Sequence, residues 1–278
     1  IEIIISNISN PDLNIVNASC NALNKICKIQ NFSKNNLKQV AIFINDLSKT
    51  IYQLLLFRKE LYQSKDAVLL IDHINYEIRR IKHHIIKLGT LDNPNIPVES
   101  YLRYIHNKDT TLLPLVLELV DSTFSKQSSK LILPLIDPDL EPMDHINEVL
   151  GKDMLSKNEM LKIWVENQHQ WKRKISIQFL LRTKDTKLIE EIDWNQLPKS
   201  IFKNQYFSKI ELEYLNNILK NSLIKESNLM YSILEKTLLL KSVDLFKNIP
   251  GEILSNIAHI AIEIEKERND KIFEEGEH

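Results

Sequence analysis

A histidine and a carboxylate one helical turn apart can hold a metal or pass a proton, and His73 and Glu77 form such a pair. His83 and His84 follow on the same stretch. A zinc site needs three or four converging ligands. No His-x-x-x-His spacing occurs, and the two cysteines, Cys20 and Cys27, are far off in sequence. The histidines therefore read as solvated residues of a helix surface, and no metal site is expected. The cysteines stand seven residues apart in a helical stretch, or about 10 Å along its axis, too far for a disulfide with each other. They share an apolar face with Leu23 and Ile26, which marks them as buried free thiols of a reducing cytosol.

Two basic clusters could meet phosphate, on lipid or on nucleic acid. Arg79, Arg80, Lys82, His83 and Lys87 form the first, and Lys172-Arg173-Lys174 the second. The first falls mostly off the apolar seam of Ile78, Ile81, Ile85 and Leu88, so an ordinary solvated face is expected there, as for the second. Trp164 and Trp171 would share one face of a continuous helix, where core packing is a commoner role than stacking. Glu190-Glu191 lies beside basic residues on an exposed face. The sequence carries no Gly-rich phosphate loop, nucleophile elbow or metalloprotease motif. No catalytic residue, cofactor-binding residue or metal ligand is assigned, and the chain reads as a non-enzyme.

The elements that would position such residues are helices. Of 278 residues only 4 are Gly, far fewer than the turns of a β-rich chain of this length would require. Hydrophobic residues make up 43% and charged residues 26%, which suits a folded chain. The net charge of -1 argues against a general nucleic-acid binder. No uninterrupted apolar run approaches the roughly 20 residues of a membrane helix, and no signal peptide is visible. The first residue is Ile rather than Met, so the natural N-terminus is expected upstream.

Along the chain, residues 1–9 read as the end of a helix and Pro11-Asp12 as a break that starts another, with Leu13, Val16, Cys20 and Leu23 inward. Ser33 caps a helix to about residue 63, whose Leu37, Val40, Ile44, Leu47, Ile51 and Leu54 form a seam. Asp66 opens the next, with Ile71, Ile74, Ile78, Ile81 and Ile85 in the same rhythm and Gly89 as its stop. Two such helices joined by a short turn form an antiparallel hairpin. After the break at 93–97 come helices at 98–107, 112–124 and 126–136, the last ended or kinked by Pro134. A helix from about Met143 stops at Gly151. Ser156-Lys157-Asn158-Glu159 and Ser208-Lys209-Ile210-Glu211 are capping boxes. A helix pair every 35 to 45 residues from 97 to about 240 fits a helical-repeat solenoid.

Three stretches carry family resemblances. The run from Asp12 to Leu23 resembles the second helix of a HEAT repeat, with an acidic turn residue, Val16, and small residues leading to Ala22-Leu23; Asn17 stands where that pattern has Arg. The stretch Leu239 to Pro250, with Leu245-Phe246, resembles the entry to a cyclic-nucleotide-binding domain. In that family it leads into a short helix, matched by Ile253, Leu254, Ile257 and Ala258, and then into two strands, matched by residues 262–266 and 271–273. The Gly-Glu segment and the Arg that hold the cyclic phosphate in that family have no counterpart here, since Gly276-Glu277 comes too early. The resemblance thus implies a truncated domain that binds no cyclic nucleotide. Lastly, residues 117–121 followed by 130–136 resemble the helical linker of bacterial proteins that join a nucleotide-carrier-like (ATP/ADP translocase-like) membrane domain to HEAT-like helices and such a sensor.

The expected fold is all-α, a HEAT/armadillo-like α-solenoid of antiparallel helix pairs over residues 1–240, with a short α/β fragment at 241–278. The expected role is a non-catalytic scaffold or coupling region between an upstream transporter-like module and a downstream cyclic-nucleotide-sensing one. A stand-alone HEAT-like protein-binding platform and a HEAT-like DNA-processing enzyme are the alternatives. Expected partners are proteins or adjacent domains of the same polypeptide, with no specific nucleic acid, and with a membrane only through the missing upstream domain. The expected location is cytoplasmic, as the soluble part of an inner-membrane protein.

Overall fold

The computed structural model describes residues 1–10, 12–93, 98, 101–103, 110–167, 169–198, 201, 205–219, 230–267 and 270–272. The described residues hold thirteen α-helices with both ends described, further helical residues at 98 and 101–103, and several 3₁₀ turns, with no strand among them. The protein is all-α. It divides into two compact units, Ile1–Arg173 and Lys174–His278.

In the first unit, α1 (Glu2–Ser6) runs into a 3₁₀ turn, Asn7–Ser9. α2 (Leu13–Ile26) starts where the Asp12 carboxylate accepts the Asn14 N–H. α3 (Lys34–Leu61) is capped by Ser33, whose hydroxyl accepts the Asn36 N–H. After a 3₁₀ turn at Lys65–Ala67 comes α4 (Val68–Gly89). α3 and α4 make the most extensive packing in the chain. Ile44, Ile51, Ile74, Ile78 and Ile81 are buried, while Leu47 is only half-buried. Arg58 donates to Asn75 Oδ1 at 2.8 Å, from positions about equidistant from the turn, so α4 runs back along α3.

Helix α3 also passes, by length and composition, for a membrane span, with a mean hydropathy of 1.3 in its most apolar window. A search for unbroken apolar runs passes over it because polar residues punctuate it. Half of that window is buried inside the protein. The polar groups serve the core: the Gln53 side chain accepts the Leu155 N–H at 2.9 Å and donates to its carbonyl at 2.8 Å, pinning the loop before Ser156.

Gly89 is the last residue of α4, but its φ of −63° is ordinary helix. It is not a left-handed stop. A Cβ there would run into the ring of Phe124, so the residue must be small for close approach. Gly151 does need its freedom, with φ +48° and ψ −118° closing a short helix. The rest of the unit comprises α5 (Leu113–Thr123), α6 (Lys126–Ile136, with Pro134 two residues from its end), α7 (Ile146–Leu150) and α8 (Lys157–Glu166).

α9 (Gln170–Thr183) contains the division between the units. The second unit continues with α10 (Thr186–Glu191), α11 (Lys209–Leu219), α12 (Ile233–Ser242) and α13 (Gly251–Ile260). α13 buries Leu254 and Ala258, packs on α12, and leaves Ile253, Ile257 and Ile260 exposed. Residues 261–267 are exposed and form no strand. The expected strand at 262–266 is thus not formed, since nothing among the described residues offers it a ladder. Of the second expected strand, at 271–273, Lys271 and Ile272 form no strand and Phe273 lies outside the described residues.

Candidate functional site

The His73–Glu77 pair is not at the surface. Both side chains face inward from α4, 4% and 5% exposed. The sequence expectation of solvated histidines fails here, and again at His84, which is 1% exposed. The reason is the width of the buried stripe on α4. It takes in 73, 77 and 84 along with the isoleucine seam, because the helix is covered on more than one side.

Burying Glu77 requires a countercharge. Lys172, at the start of α9, supplies it, with Nζ 2.6 Å from Glu77 Oε1. The lysine also lies 5.3 Å from the centre of the Trp164 ring. Trp164 in turn meets Phe57 and His73 edge to face, with centroids at 5.3 and 5.6 Å. His169 approaches His73 at 5.9 Å. His73 Nε2 stands 3.8 Å from Glu77 Oε1 and has no hydrogen-bond partner among the described residues. Burial, followed by the positive charges of Lys172, His169 and Arg80, pushes the His73 pKa well down, so its imidazole is neutral. Burial likewise lowers His84, to about 3.

Most residues of both basic clusters bond within the fold, those of the first from half-exposed positions. In the first, only Arg79 is fully exposed. Arg80 donates to Asn14 Oδ1, Lys82 to the Leu135 carbonyl and Lys87 to Asn21 Oδ1. These side chains tie α4 to α2 and α6. In the second, Arg173 is 6% exposed and donates through Nε to the Val165 carbonyl at 2.8 Å, closing the open end of α8. Lys174 is 7% exposed and sits 3.4 Å from the centre of the Tyr206 ring. The expectation of a solvated face is overturned because residues 173–181 are all buried, so this part of α9 has no solvent side.

Trp164 and Trp171 are both buried, but on two helices, since the chain is non-helical at Asn167 and His169. Cys20 and Cys27 are buried free thiols. Burial raises Cys20 to about 12, so it is no thiolate nucleophile near neutral pH. Among the described residues no three His, Cys, Asp or Glu side chains converge as metal ligands.

A second charge cluster lies wholly within the second unit. Among the described residues three capping boxes are formed, at Ser156–Glu159, Ser208–Glu211 and Ser232–Glu235. The third, Ser232-Ile233-Leu234-Glu235, carries the same sequence pattern as the two expected ones. The last two boxes share a cation. Glu211 and Glu235 each accept the N–H of their capping serine through Oε2 and offer Oε1 to Arg182, at 2.7 and 3.5 Å. One arginine thereby holds the starts of α11 and α12 together.

Glu77 and Lys172 also line a cleft of about 260 Å³. Phe43, Asp46, Leu47 and Thr50 reach it from α3, a spacing that puts them on one helix face. Ile81 stands one turn after Glu77 on α4, and Ile8 to Asn10 and Val16 complete the lining. No family model, curated protein or solved structure matches the chain. Its class is therefore defined by the fold: an all-α protein of two units in which a few charged groups are buried as internal ties.

Proposed function

We propose that this chain is a non-catalytic coupling region: a HEAT/armadillo-like solenoid of antiparallel helix pairs, leading at 241–278 into the front of a cyclic-nucleotide-binding-like domain. It joins that sensor to an upstream module, a nucleotide-carrier-like membrane domain, on the cytoplasmic side. Its partners are adjacent domains of the same polypeptide.

One observation carries the reading. From Leu245 onward the chain presents large apolar side chains to solvent: Leu245 at 78%, Ile260 at 76%, Ile262 at 87% and Ile264 at 75%. Isolated exposed apolar residues need no explanation, but a run of this kind marks a surface built to be covered. Helix α13, at the place the resemblance implies, and the alternation of Ile262 and Ile264 with Glu263 and Glu265 support a roll of strands as the cover. Lys236 holds the start of this segment, bonding the Ala261 carbonyl at 3.1 Å and Glu263 at 2.9 Å. The burial of Arg173 and Lys174 supports a role without nucleic acid.

The test is the encoded sequence after His278. The reading requires about 80 further residues of strand-patterned chain containing a Gly-Glu segment and a later Arg. A stop codon directly after His278 overturns it in favour of the stand-alone platform. The 278-residue chain itself is expected to give no calorimetric heat with cyclic AMP or cyclic GMP, and micromolar binding would overturn the truncated-domain reading.

A further inference from the structure

The cleft beside the Glu77–Lys172 pair combines an apolar wall with an unbalanced charge. Ile8, Val16, Phe43, Leu47 and Ile81 give it hydrocarbon and aromatic surface. Its charged lining residues are two carboxylates, Asp46 and Glu77, against one ammonium, Lys172. That ammonium is already bonded to Glu77 at 2.6 Å. Asp46 is exposed and has no ion-pair partner among the described residues. The lining therefore carries one net negative charge, set at the mouth of an apolar recess.

We infer that this cleft binds a small organic ammonium ion, with an apolar body against Phe43, Leu47 and Ile81 and its charged head toward Asp46. An organic anion is the poorer fit. It would meet two carboxylates and compete with Glu77 for the one cation, which already has that partner in a partly desolvated place. A metal ion is a poorer fit still, since of the two carboxylates one, Glu77, is already held by Lys172 and hard cations need six or more oxygen ligands. The Phe43 ring adds a face that favours a cation over a neutral ligand of the same shape. For size, 260 Å³ at the ~30 Å³ that a water molecule occupies corresponds to roughly nine non-hydrogen atoms. That is the scale of an arylalkyl amine or the side-chain end of a larger cation. The binding site does not depend on the coupling role proposed above, since its lining is the same whichever role the chain has.

Calorimetric titration of the 278-residue chain with three ligands of one shape tests this: phenethylamine, 2-phenylethanol and phenylacetate. The amine should bind about tenfold more tightly than the alcohol, the scale of one charge-assisted contact, and the acid should not bind. Asp46→Asn should lower amine affinity about tenfold, and Leu47→Ala should weaken amine and alcohol alike. Asp153→Asn, an exposed acid outside the lining, serves as the unchanged control. Asp46 is exposed, so the melting temperature should confirm that its variant is folded. Equal affinity for amine and alcohol overturns the assignment of the head group. Tighter binding of phenylacetate overturns the sign of the site, and no binding of any ligand at millimolar concentration overturns the site itself.

Discussion

The first unit hides charge, whereas the C-terminal stretch of the second displays hydrocarbon. Glu77 and Lys172 are taken out of water, with His73 and Trp164 around them, while Ile260, Ile262 and Ile264 stand in it. The contrast separates two kinds of polar and apolar placement. A buried ion pair closes on itself: each charge finds its partner, and removing either leaves the other stranded. An exposed isoleucine run has no such closure, and its free energy improves only when another surface arrives. The first unit thus pairs its buried charges within itself, while the described C-terminal residues leave their isoleucines in solvent.

The largest effect should come from opening the buried pair. Lys172→Ala strands Glu77 and is expected to destabilise the first unit by about 3–5 kcal/mol, read from chemical denaturation. The double variant Lys172→Met/Glu77→Leu should recover most of that loss. No recovery would mean that the pair holds geometry rather than charge balance.

Acid should open the same interior more gradually. His73 and His84 are held neutral by burial, with folded-state pKa values below the ordinary one. Below about pH 6.5 the unfolded chain takes up protons that the folded chain refuses. Stability should therefore fall as pH drops from there, by up to about 1.4 kcal/mol per pH unit for each histidine. For His84 the loss should level off near pH 3, where its folded form also protonates. Replacing His84 by Gln should shallow this slope, and an unchanged pH–stability curve would show that His84 takes no part in it.

Gly89→Ala should cost about 1–2 kcal/mol, because the added carbon overlaps the Phe124 ring. Pairing it with Phe124→Leu should cancel most of the loss. If Gly89 were instead a conformational stop, Phe124→Leu would give no relief.

The smallest effect belongs to the uncovered stretch. Ile262→Ser with Ile264→Ser should change stability by less than about 0.5 kcal/mol, as expected for exposed positions. A larger loss would show that these side chains pack against the chain after all.

The local elements were legible in the sequence because local rules set them. Ser33, Ser156 and Ser208 were readable as caps, since a hydroxyl beside a free N–H needs no distant partner. The span 126–136 and the pairing of the two long isoleucine-rich helices follow from the period of their apolar residues. Gly151 was readable as a stop because only a glycine takes a positive φ without strain, and the structure places it at φ +48°. What the sequence left undetermined is which polar residues lie inside. His73, Glu77, Lys172, Arg173 and Lys174 read as surface because charge usually faces water. Their burial depends on partners far away in the chain, Glu77 with Lys172 and Arg182 with both Glu211 and Glu235. Periodicity measures one helix at a time. It reports which face is apolar, but not how many neighbours cover the helix, and that number alone decides whether a lysine meets water, a carboxylate or an aromatic ring.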